Sequence, residues 1–204
     1  VAINMNKILV YILILIPILS FSQNWTIPTI DWQGETETKN TYVDLLKLKD
    51  QNSLIIRIAY SSYWTKGQNS EFIVYQNDGK VLRFNVFQPN STELKTKIIR
   101  KRISKKEYEQ YWNHLNDIVQ GNKYLIDKSK LNITEKKGEE EGTMITMSVS
   151  DGANYSFSMC QGKNYLAYGS YSPITFIESE FPGWQERQKL VDLMNGFEEL
   201  TEKY

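Results

Sequence analysis

Seven cations fall within twelve residues of this chain: Lys95, Lys97, Arg100, Lys101, Arg102, Lys105 and Lys106, with no acid among them. Such a run is suited to electrostatic recognition of an anion. If 95–103 is a strand, alternation sets Lys95, Lys97 and Lys101 on one face and Arg100 and Arg102 on the other, so the seven do not form one patch. The competing explanation is a charged edge strand that repels pairing by other molecules. Lys105 and Lys106 would stand in the first turn of a helix, against its dipole, and that local conflict favours a binding role.

Aromatic side chains supply a second recognition chemistry. Tyr60, Tyr63 and Trp64 lead from a strand into the polar loop Lys66-Gly67-Gln68, and Tyr165, Tyr168 and Tyr171 recur ahead of Pro173. Aromatics on a loop rim suit sugar stacking or a protein contact, whereas aromatics inside strands suit a core. The candidate binding residues are therefore Lys97, Arg100, Arg102, Tyr63 and Trp64.

The machinery of catalysis is thin. His114 is the only histidine, which eliminates zinc centres needing two imidazoles. Cys160 is the only cysteine; it falls on the face of Ser156 and Ser158 and reads as a small strand residue rather than a nucleophile paired with His114. No GxSxG elbow, SxxK, phosphate loop or GxGxxG is present. Asp31, Asp44, Asp50, Asp151, Glu178 and Glu180 are carboxylates from which a hydrolytic pair would have to come, and their separation is a spatial matter. Glu139-Glu140-Glu141 lacks calcium-loop spacing and reads as a solvated hairpin tip. No catalytic residue, metal ligand or cofactor is assigned.

The elements that position these residues are legible. Tyr42 to Leu48 suits a short helix. Ser53 to Ser61 alternates as a strand, Glu71 to Gln76 follows, and Asn77-Asp78-Gly79 is a hairpin turn before Lys80 to Gln88. Lys95 to Ile103 is the edge strand. Ser104-Lys105-Lys106-Glu107 is a capping box, opening a helix whose stripe is Tyr108, Tyr111, Trp112, Leu115, Ile118 and Val119, with Gly121 as a left-handed stop. Thr143 to Ser150, a turn at Asp151-Gly152, Asn154 to Gln161 and Tyr165 to Tyr171 read as further strands. Pro182 and Gly183 open a last helix striped by Leu190, Val191, Met194, Phe197 and Leu200, with Gly196 as a weak spot. Asp78 to Phe84 can be laid on Asp151 to Phe157, which hints at two strand-hairpin-helix halves.

The expected fold is α+β: an antiparallel sheet of about six or seven strands with two amphipathic helices packed on one face. The N-terminal 22 residues read as a signal peptide, starting at Met5, with Lys7, an apolar run over Ile8 to Leu19, and cleavage after Ser22. Residues 23–40 form an arm and 41–204 a single domain. The 24 basic and 24 acidic residues balance, so no global field draws the chain to nucleic acid or membrane. One cysteine forbids an internal disulfide. The expectation is a secreted or periplasmic bacterial protein without a transmembrane anchor, acting as a non-enzymatic binding module. Its partner would be an anionic polymer, an envelope component or another protein. The rival is a carboxylate hydrolase of envelope or carbohydrate material, with Asp151, Glu178 or Glu180 as its acids.

Overall fold

The computed structural model describes residues 25–32, 34 and 41–202, so the expected signal peptide lies outside the described residues. The chain runs α1 (Thr41–Leu45), β1 (Leu54–Ser62), β2 (Gly67–Tyr75), β3 (Val81–Pro89), β4 (Lys97–Lys101), α2 (Lys105–Gln120), β5 (Glu135–Lys137), β6 (Met144–Thr146), β7 (Ala153–Gln161), β8 (Asn164–Tyr171), α3 (Pro173–Glu178) and α4 (Trp184–Glu202). Six strands form one antiparallel sheet in the order β4-β3-β2-β1-β7-β8, while β5 and β6 pair separately. The first four strands are a meander. α2 then returns the chain across the sheet, so that β7 pairs with the free side of β1.

Strand alternation sorts the side chains onto two faces. Leu54, Ile56 and Ile58 of β1 join Ile73, Tyr75, Phe157, Met159 and Leu166 under the apolar stripes of α2 and α4. Ile55, Phe72, Val74, Phe84 and Cys160 face the other way, where Val43 and Leu46 of the α1 segment cover them. β1 is therefore buried on both sides, and both its neighbours along the sheet are strands.

α2 is fixed at its start and at its middle. Ser104 and Glu107 make the reciprocal capping box. Trp112 is fully buried, donates its indole N–H to Gly79 O at 2.9 Å, and stacks on Trp25 with centroids 5.9 Å apart. Its tip thus locks the helix onto the β2–β3 turn, and the segment around Trp25 lies over it. Asp31 N donates to the Tyr124 hydroxyl at 2.8 Å, which ties the same segment down.

Two expectations change, and one element is added. Gly121 is right-handed, with φ −79°, and the left-handed residue is Asn122 at φ 51°. Asparagine tolerates that conformation better than most side chains. Asp151-Gly152 closes no hairpin: residues 144–146 pair with 135–137, and the hairpin in this half is β7–β8, turning at Gly162 with φ 58°. Residues 144–146 are exposed and give the main sheet nothing to bury, so the second half does not reproduce the Asp-Gly hairpin of the first. Finally, α3 follows β8 directly, with Pro173 in its first turn.

Candidate functional site

The register places side chains of the helix-facing side in rows that cross the sheet. One outer row reads Lys97, Phe87, Asn69, Tyr60 and Tyr155 from β4 to β7; the next inward reads Ile99, Asn85, Glu71, Ile58 and Phe157. Over the inner rows α2 and α4 complete the core. Toward β4 the outer rows are left open, and a cleft of about 520 Å³ lies between them and Glu198 of α4. That volume is typical of small-ligand sites, which span roughly 300–1,000 Å³.

The floor of the cleft carries Ile58, Phe87 and Ile99, and its polar groups include Tyr60, Asn69, Glu71, Asn85, Lys97 and Glu198. Glu71 is ion-paired with Arg83, whose Nη1 also donates to Thr201 O at 2.9 Å. Burial pushes the Glu71 carboxyl above the ordinary glutamate value, against the opposing pull of Arg83. The Tyr60 hydroxyl bonds the Glu198 carboxylate, and burial together with that negative neighbour raises its pKa far out of the physiological range. Tyr60 is also braced edge-on by the Tyr155 ring, with centroids 4.8 Å apart. Asn85 Oδ1 is buried without a hydrogen-bond partner. Gly67 meets the Phe87 ring so closely that a Cβ there would come within 2.7 Å of Cζ.

The five residues singled out from sequence are divided by the fold. Lys97 is exposed and stands in the cleft wall. Arg100 is on the opposite face of β4, as alternation requires, and lines a separate shallow cavity with Arg102 and Tyr108. Tyr63 and Trp64 project from the β1–β2 turn with relative exposures of 90% and 73%. Their rings meet edge to face, and the Trp64 indole donates to Asp151 Oδ1 at 2.9 Å. This tip follows Tyr60 by three and four residues, at the open end of the sheet.

The acids expected for a hydrolase lie elsewhere. Asp151 is an exposed acceptor for Trp64, and Glu178 and Glu180 are exposed around the end of α3. Among the described residues there is no group of three or more histidine, cysteine or acidic side chains placed to hold a metal. Cys160 is buried beside Ile55. His114 is wedged between α2 and α4, where burial lowers its pKa.

The sequence reading missed Glu71, Asn85, Arg83 and Glu198. Their signal was a polar residue at an inward register: Arg83 and Asn85 follow Val81 at two-residue steps, and Glu71 precedes Ile73 and Tyr75. No protein-family model matches the chain, and no curated protein is significantly similar to it.

Proposed function

We propose that the chain is an exported binding module that holds an anionic macromolecular partner along the β4 edge. The supporting observation is the edge itself. All five β4 residues are exposed, Ile98 and Ile99 are exposed at 39% and 41% between cations, and among the described residues the only strand beside β4 is β3. Among the described residues none of the seven cations from Lys95 to Lys106 is ion-paired. Their field is therefore directed at solvent or a partner, and complementary charge chiefly accelerates and orients association. No helix among the described residues is long and apolar enough to cross a membrane. The hydrolase alternative draws no support from Asp151, which accepts a bond from the Trp64 indole, or from Glu178 and Glu180, which are exposed around the end of α3.

The test is capture from the envelope fraction of the source cells. The purified protein is compared with Lys97→Ser, which removes one cation from the helix-facing side of the edge, and with Arg100→Ser/Arg102→Ser, which removes two from the other side. Retention of a partner by wild type, lost in either variant and falling with salt, supports the reading. Equal retention by all three proteins refutes the basic edge as the docking surface.

A further inference from the structure

We infer that the cleft between Glu198 and the open rows of the sheet binds a neutral sugar unit of a glycan. This goes beyond the reading of the basic edge, because the cleft is on the helix-facing side and involves neither Arg100 nor Arg102.

The chemistry of the lining selects the ligand. Two carboxylates, Glu71 and Glu198, stand with two cations, Arg83 and Lys97, so the site has no net formal charge. A small anion entering here would meet both carboxylates, and a small cation would meet Lys97 and the guanidinium behind Glu71. A polyhydroxyl ligand meets neither penalty. It offers hydroxyl donors to the carboxylates and accepts from Lys97 and the Asn69 amide.

Two details favour a hydroxyl-bearing guest over an apolar one. Asn85 lines the cleft and its Oδ1 is buried without a donor, so the amide can turn to meet a ligand hydroxyl without that oxygen giving up an existing bond. Glu71 is held by Arg83 and the Thr201 hydroxyl, and Glu198 by the Tyr60 hydroxyl, which fixes both carboxylates as oriented acceptors beside the cleft. The apolar floor has its own role. A pyranose has a C–H face that packs on aromatic and aliphatic surface, and Phe87, Ile58 and Ile99 provide it. Gly67 lets the Phe87 ring lie close against β2, since a side chain there would collide with Cζ and with Gln88 O at 2.4 Å.

The experiment is an array of neutral and sialylated glycans probed with the purified protein, followed by a titration of the best neutral glycan by NMR. Neutral glycans are expected to be retained, and the side-chain amide signals of Asn69 and Asn85 to shift on titration. Asn85→Leu, of similar volume, is expected to weaken binding at least tenfold, and Asn69→Ala, at an exposed position, at least threefold. Arg100→Ser/Arg102→Ser, on the opposite face, should bind the glycan like wild type, which separates this site from the basic edge. Should Asn85→Leu fail to fold, Asn69→Ala carries the same comparison. Retention of no neutral glycan, retention of sialylated glycans alone, or undiminished binding by the folded cleft variants overturns the inference.

Discussion

The guanidinium of Arg187 lies over the ring of Phe176, 4.3 Å from its centroid, and among the described residues no carboxylate is paired with it. It is 1% exposed, its Nη1 donates to Pro182 O at 2.8 Å and its Nη2 to Ile133 O at 2.7 Å. One side chain thus joins the start of α4, α3 and the loop before β5. Arg187→Ala is expected to cost about 3–5 kcal/mol, from two charge-assisted hydrogen bonds and the cation–π contact. Arg187→Lys should recover less than half of that loss, because an ammonium does not reproduce the planar fork. Urea unfolding followed by circular dichroism measures both.

Gly196 explains itself through a contact that sequence does not show. A Cβ there would stand 2.8 Å from His114 Cε1 and 3.0 Å from Nε2, so the glycine permits the close crossing of α2 and α4. By helix propensity alone, Gly196→Ala would stabilise by about 1 kcal/mol. In this interface it is expected to destabilise instead. In a His114→Ala background the collision is gone, and the same change should become stabilising. A double-mutant cycle on unfolding free energies reads the reversal of sign.

His114 also sets a pH dependence. Burial holds its pKa below the ordinary histidine value of 6.5, with Asp117 and Glu199 favouring the charged ring and Lys123 opposing it. The unfolded chain takes up the proton as pH falls through 6.5, while the folded chain does not until lower pH. Stability from this group is therefore full above 6.5 and is lost on acidification toward the folded pKa. Because the ring is partly screened, the effect is at most about 1 kcal/mol. The difference in unfolding free energy between wild type and His114→Asn, measured from pH 8 to 5, should shrink toward acid. A constant difference would contradict this placement.

The fold was more legible than the site, for a physical reason. Periodicity exposes elements that bury an apolar stripe, and β1, β3, α2 and α4 all do so. β6 has three exposed residues and leaves no such stripe, so its pairing with β5 had to be seen in space. The cations of β4 stood out because they are contiguous. Glu71 and Glu198 are separated by most of the domain, and only the register of β2 against β3 and the path of α4 bring them to one cleft. Asp151-Gly152 misled because a turn dipeptide is local, whereas a hairpin needs two strands with something to cover.

Tyr63 and Trp64 test whether exposure reflects function or tolerance. Their rings contact each other and, through one indole bond, Asp151, with no place in either core cluster. Trp64→Ala is therefore expected to change unfolding free energy by less than about 0.5 kcal/mol, as for surface substitutions away from packing. An exposed pair of aromatics at the open end of the sheet is also the composition of an interface anchor, and removal of such an anchor costs 2 kcal/mol or more of binding, roughly thirtyfold in affinity. If Trp64 touches the partner, the variant keeps its stability and loses at least tenfold in capture of the envelope partner or the neutral glycan. If both stability and binding are unchanged, the tip is only a loop, and recognition is confined to β4 and the cleft beside it.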